Sequence, residues 1–213
     1  MSGILSAAGA ALQAVGSVVG VRNGTEEPPF TVEQRTRDVE IRRYAERVAA
    51  ETVVTGDEEA ARSTGFRRLA GYIFGGNHSR TKIAMTAPVA QDRAAPEGEQ
   101  ISMTAPVAQQ PGAPGQWVIR FFMPTGVGLE SLPEPDNAAV QLVRVPAETV
   151  AVHAFSGDRS RRAVEAHTAT LLNALKDMQC EPAGVPQAWF YDPPWTLPMF
   201  RRNEIAVPVT KNH

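Results

Sequence analysis

The chain has 213 residues, enough for one large or two small domains with a sizeable core. Its 21 lysines and arginines against 23 aspartates and glutamates give a formal net charge of −2, which argues against nucleic-acid binding. The single cysteine, Cys180, excludes an intramolecular disulfide and a metal site built from several cysteines.

The first segment, Met1–Val21, contains no charged residue. Its apolar side chains recur at helical spacing, but Gly, Ser and Gln dilute them too far for a segment that spans a bilayer. We predict an N-terminal helix that packs on its own protein or on a partner chain, with membrane-surface contact as the alternative. The polar stretch Arg22–Pro29 is then a linker into the main domain.

The main domain begins with short alternating runs that predict strands over Thr31–Arg35, Asp38–Tyr44 and Arg47–Val54. A helix follows over Glu58–Phe74, with Asp57 as its N-cap and Gly75-Gly76-Asn77 as its end. Its predicted buried stripe comprises Phe66, Leu69, Ala70 and Ile73.

A seven-residue sequence, Met-Thr-Ala-Pro-Val-Ala-Gln, occurs twice, at Met85–Gln91 and Met103–Gln109. With the isoleucine two positions before each copy, alternation extends over Ile83–Ala90 and Ile101–Ala108, which predicts two strands that form a long-looped antiparallel hairpin. Each copy contains a proline that cannot donate to a ladder, so an edge, a bulge or an opening is expected there. Met85 and Met103 would face one side and form a wall of an adaptable apolar cavity.

The second half repeats this plan. Its Ser156-Gly157-Asp158 joint lies 101 positions after Thr55-Gly56-Asp57, and each joint separates predicted strands from a helix. We therefore predict an α+β domain over residues 30–210 with two pseudo-repeats, at about 30–123 and 138–210. A distorted antiparallel sheet or barrel would be flanked by one helix from each half. The remaining predicted elements are strands Gln116–Met123, Val140–Val145, Glu148–Phe155, Ala188–Tyr191 and Glu204–Val209, and the helix Arg159–Met178.

Three motifs resemble the SOUL/haem-binding-protein family: the duplicated strand beginning Lys82-Ile83-Ala84-Met85, the Leu132-Pro133-Glu134-Pro135 turn, and the ending Tyr191-Asp192-Pro193-Pro194 … Arg201-Arg202-Asn203-Glu204-Ile205. The resemblance runs from about Glu27 to Val209. It implies a distorted β-barrel-like sheet with two helices. It also implies binding of haem or another tetrapyrrole through a mainly hydrophobic surface, with the first helix lining the pocket.

The first helix and the double strand supply the candidate ligand-binding residues. Arg62, Arg67 and Arg68 could pair with haem propionates, for which guanidinium is a well-matched cation. The alternative is that the apolar stripe is ordinary core and the arginines form a solvated helix face. The apolar wall would comprise Phe66, Leu69, Ile73, Met85 and Met103.

An axial iron ligand would be His, Met, Cys or Tyr. His78, in the glycine-rich turn after the first helix, is the most accessible candidate, although an exposed loop histidine is the alternative. His153 and His167 are interpreted as structural, and His213 as terminal. No metal site built from protein ligands alone is expected.

An enzymatic interpretation centres on Glu204 and Tyr191. A desolvated Glu204 with a raised pKa could act as an acid or base, with Tyr191 as its hydrogen-bonding partner. The alternative is a structural ion pair between Glu204 and Arg201 or Arg202.

The sequence favours a cytoplasmic, non-catalytic protein that binds haem or a related flat hydrophobic molecule as a carrier, buffer or sensor. One alternative is a small hydrolase or isomerase that uses Glu204. A further alternative is an interaction module in which residues 1–21 mediate self-association, partner docking or peripheral membrane contact.

Overall fold

The computed structural model describes residues 26–93, 115–192 and 195–211. The predicted helix Met1–Val21, the second repeat copy Met103–Gln109 and His213 lie outside them. Within the described residues, ten strands and two helices confirm the α+β class. The strands are β1 (Phe30–Arg35), β2 (Glu40–Tyr44), β3 (Arg47–Thr55), β4 (Val89–Arg93), β5 (Gln116–Phe122), β6 (Gln141–Val145), β7 (Glu148–Phe155), β8 (Cys180–Pro182), β9 (Gln187–Phe190) and β10 (Asn203–Lys211); the helices are α1 (Glu58–Ile73) and α2 (Arg161–Asp177).

The strands form one antiparallel sheet in the order β1-β2-β7-β10-β9-β4-β5-β3-β6, with β8 paired to β10. Apart from β1 and β8, the order is symmetric about the β9–β4 pair, as expected for duplicated β-α-β units. The two units also exchange strands, because β2 pairs with β7 and β6 pairs with β3.

The sheet is strongly curled. Only Ala45 and Glu46 connect β2 to β3, yet five strands separate these two in the sheet order. In a flat sheet that separation would be about 29 Å, whereas the three peptide units between Tyr44 and Arg47 reach at most about 11 Å. The equally short connection between β6 and β7 imposes the same curvature. The Arg47 guanidinium binds the Glu148 carboxylate where the two connections meet.

Both helices cover the same face of the sheet. Val89 of β4 belongs to the cluster under α1, and Phe190, its register partner in β9, belongs to the cluster under α2. Residues that face each other across a ladder point to the same side, so the two clusters form one layer. The opposite face lies inside the curl, where Tyr44 of β2 meets Trp189 of β9 with ring centroids 5.7 Å apart.

The helix boundaries follow from local chemistry. The Asp57 side chain accepts hydrogen bonds from the backbone N–H groups of Glu59 and Ala60, which confirms the predicted N-cap. Helix α2 begins later than predicted, at Arg161, because the Ser160 hydroxyl caps it by accepting from the Ala163 N–H.

The first copy of the repeat is only partly a strand. The segment before Val89 is irregular, and the predicted strand is therefore wrong for residues 83–88. Pro88 lies directly before β4, so its missing N–H breaks no ladder. The predicted hairpin is also wrong for β4, because β5 and β9 occupy both of its edges.

The end of the predicted linker contacts the domain. Glu26 forms an isolated bridge with Thr86, and its carboxylate accepts from the Thr125 N–H at 2.7 Å. The Glu27 carboxylate binds the Arg202 guanidinium at 3.0 and 3.1 Å. Residues 26 and 27 are thus held against the sheet.

Candidate functional site

The inner face of α1 packs directly on β3 and β5. Leu69 and Ile73, two residues of the predicted ligand wall, are 0% and 1% exposed in that core. Phe66 packs edge-on against Phe121, with ring centroids 5.3 Å apart. A Cβ atom at Gly65 would lie 2.4 Å from Ile119 Cγ1, so glycine sets this close approach. These residues hold the helix on the sheet and do not line an open pocket.

Arg62 also faces the sheet. Its Nε donates to Gln91 Oε1 at 2.7 Å, and its guanidinium lies 4.3 Å from the centroid of the Phe190 ring. Burial lowers the pKa of this arginine, although the Glu58 carboxylate 3.4 Å away opposes the effect. The Arg62 guanidinium is therefore engaged inside the protein.

The outer side of α1 borders an open cleft of about 750 Å³. Arg67 is exposed there, and its Nη2 donates to Thr64 Oγ1 at 3.4 Å. Arg68 Nη1 donates to the Val53 carbonyl at 3.2 Å and to Thr52 Oγ1 at 3.3 Å. The lining residues are Thr64, Arg67, Arg68, Gly71, Tyr72, Gly76, Asp136, Asn137 and Ala138.

The middle of the cleft is smooth because Gly71 has no side chain. Apart from the adjoining backbone of the helix itself, no atom lies within 4 Å of the position that a Cβ would take there. Tyr72 beside it is held in place, since its hydroxyl donates to the Pro133 carbonyl at 2.9 Å. Phe74, three residues after Gly71, is 60% exposed at the end of the helix. Along this side, α1 thus carries Arg67 and Arg68 before the bare backbone at Gly71, and the exposed Phe74 ring after it.

His78 is not a lining residue of the cleft, but it contacts Asp136, which lines the wall opposite Arg67 and Arg68. Its Nδ1 is 3.3 Å from Glu134 Oε2, and its Nε2 is 3.8 Å from Asp136 Oδ1. The imidazole is 61% exposed, so a ligand can reach it. This wall is acidic, whereas the Arg67 and Arg68 wall is basic.

The predicted methionine wall is not assembled within the described residues. Met85 lies in the irregular segment before β4 and is 36% exposed. Met103 lies outside the described part of the chain.

Glu204 is the most deeply buried carboxylate of the inner sheet face, at 1% exposure. Arg42 holds it bidentately, with Nη1 to Oε2 at 2.9 Å and Nη2 to Oε1 at 3.1 Å. The Tyr191 hydroxyl donates to Oε2 at 2.6 Å, and Arg202 donates to Oε1 at 2.9 and 3.1 Å. The expected ion pair with Arg202 and the bond to Tyr191 are both present.

The electrostatics of this network are opposite to those of a poised general acid. Burial raises the pKa of Glu204, but the hydrogen bonds and charge of Arg42, with Arg202 and Tyr191, outweigh burial and lower it. The prediction of a raised pKa is therefore wrong. Burial, together with the Glu204 charge, raises the pKa of Tyr191 well above its ordinary value. The neutral Tyr191 phenol thus donates to the ionised Glu204 carboxylate, which is an arrangement that stabilises the fold.

The other histidines form a pair between β7 and α2. His153 Nε2 lies 3.1 Å from His167 Nδ1, and His153 Nδ1 lies 2.9 Å from the Asp38 carbonyl oxygen. The His167 ring stacks on Phe155 at 3.9 Å. Among the described residues, no group of three or more His, Cys, Asp or Glu side chains could hold a metal ion.

Comparison with known families identifies the chain. The family model described as SOUL haem-binding protein matches residues 25–208. The chain belongs to the SOUL haem-binding protein family. A comparison with curated protein sequences finds no significant match.

Solved structures share the fold of this SOUL protein at low sequence identity. The EcmrR C-terminal domain is 12% identical with a TM-score of 0.58, covering 82% of this chain and 98% of that one. An uncharacterized conserved protein from Listeria innocua is 15% identical with a TM-score of 0.58, over 82% and 93% of the two chains. A hydrolase from Listeria innocua is 13% identical with a TM-score of 0.56, over 84% and 94%. These likenesses establish the fold alone.

The fold of this SOUL protein separates the predicted site residues into two sets. Arg67 and Arg68 lie along the cleft, and His78 contacts Asp136 at its edge. Arg62, Phe66, Leu69 and Ile73 instead belong to the helix–sheet interface. Sequence reasoning missed Gly71, although a glycine inside a helix is unfavourable by about 1 kcal/mol and signals a special requirement.

Proposed function

We propose that this SOUL protein binds haem or a related tetrapyrrole, without catalysing a reaction, in the cleft along the outer side of α1. Family membership supports a tetrapyrrole as the ligand. The observation that carries the choice of site is a cleft of about 750 Å³ beside Arg67 and Arg68. That volume falls within the ~300–1,000 Å³ typical of small-molecule sites.

The chemistry of the cleft fits a flat molecule with carboxylates at one edge. Gly71 leaves space for a planar ring to lie close to the helix. Arg67 and Arg68 suit the propionates, because guanidinium binds carboxylate with charge-assisted hydrogen bonds. Removing several hundred Å² of apolar surface from water at ~25 cal/mol per Å² favours binding even without a bond to iron.

The two walls of the cleft orient such a ligand. Asp136 would repel propionates, so these groups would point to the arginine wall. His78, which contacts Asp136, is the candidate ligand of the haem iron, since imidazole is a common ligand of haem iron. The groups that bind are thus Arg67, Arg68, Gly71 and His78.

Haemin titration tests the proposal. The wild-type protein should give a saturable Soret shift with one-to-one stoichiometry. Gly71→Leu should weaken binding at least about tenfold, because the new side chain fills the space at the centre of the cleft. Ala169→Leu, at an exposed position of α2, is the matched control and should bind as the wild type does.

Charge reversal gives an independent test of the arginine wall. The double variant Arg67→Glu with Arg68→Glu should weaken haemin binding, whereas Arg161→Glu with Arg162→Glu on α2 should not. His78→Ala should change the absorption bands of the bound iron while leaving most of the affinity. Wild-type spectra equal to those of haemin with an unrelated protein would refute the proposed function.

A further inference from the structure

Two histidines contact each other where α2 packs on β7. His153 of β7 is 9% exposed, and its Nε2 lies 3.1 Å from Nδ1 of His167 on α2. On its other side, His153 Nδ1 lies 2.9 Å from the carbonyl oxygen of Asp38, in the link between β1 and β2. These two side chains, which we call the histidine pair, thus connect the sheet, the second helix and the β1–β2 link.

The Asp38 carbonyl determines where the protons of the histidine pair lie. A carbonyl oxygen only accepts hydrogen bonds, so His153 Nδ1 carries a proton. In the neutral pair, His153 Nε2 therefore accepts from the Nδ1–H of His167. A first added proton can bind at Nε2 of His167, and the bond between the rings remains. A second added proton must bind at His153 Nε2, so two N–H groups then face each other and the bond is lost.

The immediate contacts of the histidine pair are apolar. The His167 ring stacks on Phe155 with centroids 3.9 Å apart, and Ile205 of β10 is the register partner of His153. Burial, together with the charge of His153, lowers the pKa of His167. This environment therefore resists the charge that an added proton brings. The residues one helical turn from His167 are also uncharged, namely Ala163, Val164, Thr170 and Leu171.

Charged side chains of the sheet and of the β1–β2 link do not compensate that charge. In the link, Arg37 and Asp38 are both exposed and opposite in sign. Glu40 of β2, Glu148 of β7 and Glu204 of β10 lie on the inner face of the sheet, opposite to α2, and each binds an arginine there. The sheet thus directs its carboxylates away from the pair.

The charged groups of β8 and α2 are also remote from the pair. Glu181 of β8 is the register partner of Thr210, which lies five positions from Ile205 on β10. That separation is about 17 Å along the strand. On α2, no charged residue lies three or four positions from His167. The charged residues of this helix are Arg161, Arg162, Glu165, Lys176 and Asp177.

Helix α2 depends on the sheet for the burial of its apolar side. Neither it nor any other helix in the described part of the chain is long and apolar enough to cross a membrane. Leu171, one turn after His167, and Leu175 are 0% and 1% exposed, and they cluster with Ile205 of β10. Two cationic rings with centroids 5.2 Å apart would repel each other beside this contact. Double protonation therefore favours separation of α2 from β7.

We propose that the histidine pair is a pH-sensitive switch that docks α2 and the β1–β2 link on β7 at neutral pH and releases them in mild acid. A solvated imidazole titrates near pH ~6.5, whereas the docked pair resists a second proton, so the released form binds more protons. The docked form is therefore fully stable above that pH and loses stability below it. The opening constant should rise about tenfold per pH unit for one extra proton, or up to about thirtyfold between pH 6.5 and pH 5.

Hydrogen–deuterium exchange of the full chain at pH 7 and pH 5 tests this proposal. Protection factors, corrected for the effect of pH on intrinsic exchange, should fall by about tenfold or more at the Leu171 and Leu175 amides of α2. Those at Leu69 and Ile73 of α1 should fall far less. An equal loss in both helices, or no loss in α2, overturns the proposal.

The variant His167→Gln removes the titration and keeps the hydrogen bond. Glutamine carries an N–H donor and a carbonyl acceptor, so it can bond to His153 Nε2 whether or not that nitrogen is protonated. Its α2 amides should remain protected at pH 5. Ala169→Gln, at an exposed position of the same helix, is the matched control and should behave as the wild type does. A loss of protection in His167→Gln as large as that of the wild type contradicts the switch.

Nitrogen NMR of the imidazole rings gives a readout that needs no variant. At neutral pH the spectra should show a proton on His153 Nδ1, and the pair should take up its two further protons in separate steps. Uptake of both protons in one step near pH ~6.5, as in solvated imidazoles, would show that the rings are not coupled and would overturn the proposal.

Discussion

Replacing Glu204 with glutamine separates a structural role of this carboxylate from a catalytic one. The side chain accepts five hydrogen bonds from Arg42, Arg202 and Tyr191, and its exposure is 1%. Glutamine has nearly the same shape but no charge, and its amide group turns an N–H donor toward groups that also donate. The folded protein then retains the buried Arg42 guanidinium with only Glu40, at 2.8 Å, as an anionic partner.

The expected cost follows from the burial of both partners. Arg42 and Glu204 side chains are 6% and 1% exposed. Breaking a buried ion pair by removing one member costs about 3–5 kcal/mol, because the remaining charge stays out of water. With a urea dependence of about 2 kcal/mol per M, the unfolding midpoint should fall by about 1.5–2.5 M.

Urea denaturation at pH 7, followed by tryptophan fluorescence, measures this change. Glu165→Gln is the matched control, because it removes an exposed ion pair on α2 and should shift the midpoint far less. A midpoint for Glu204→Gln that equals the control would refute the stabilising role of the network.

The pH dependence gives a second readout of the same network. The folded pKa of Glu204 lies below its ordinary value of 4.5, so its contribution is present above pH 4.5. That contribution is lost as the pH falls through the lower folded pKa. The wild type should therefore lose more stability than Glu204→Gln between neutral pH and the acid range.

Substitutions at three positions in and before α1 test its packing and its N-cap. Gly65→Ala should destabilise the fold by about 1–3 kcal/mol in urea denaturation, because its Cβ would lie 2.4 Å from Ile119. Gly71→Ala should instead stabilise it by about 0.5–1 kcal/mol, since nothing lies within 4 Å and alanine is the better helix former; equal effects of the two would contradict the described orientation of the helix. Asp57→Ala should cost about 1 kcal/mol through loss of the N-cap, whereas Asp57→Asn should retain most of the stability.

Local patterns predicted the elements well where one residue decides a boundary. Asp57 marks the start of α1 because its side chain can satisfy free N–H groups, and this holds in the structure. Alternation likewise located Glu148–Phe155, since one side of β7 packs under α2 and the other lies inside the curl. The hairpin predicted from the repeated Met-Thr-Ala-Pro motif was wrong for β4. A proline lies directly before this strand, and β5 and β9 already occupy both of its edges, so the alternating pattern alone was not sufficient.

The sequence pattern located the side of α1 that faces the sheet, since Leu69 and Ile73 are buried and Phe66 packs on Phe121. It did not show that Gly65, against Ile119, sets the close approach of the helix to the sheet. A glycine gives no hydrophobic signal, so its role becomes visible only in three dimensions. The sequence likewise predicted the ion pair between Glu204 and its neighbour Arg202. It could not predict the second partner, Arg42, which lies 162 positions away and reaches Glu204 only through the register of β2, β7 and β10.

The exchange of strands between the two units has a consequence for synthesis of the chain. Ile41 in β2 pairs with Ala151 in β7, a residue that emerges from the ribosome 110 positions later. At about 5–20 residues per second, the β1–β2 hairpin waits roughly 5–20 s for its neighbour. During that interval the unpaired edge of β2 is available to other nascent chains. The first unit cannot complete its part of the sheet alone, because β2 pairs with a strand of the second unit. The polypeptide is therefore expected to reach its mature form only after most of it has been translated.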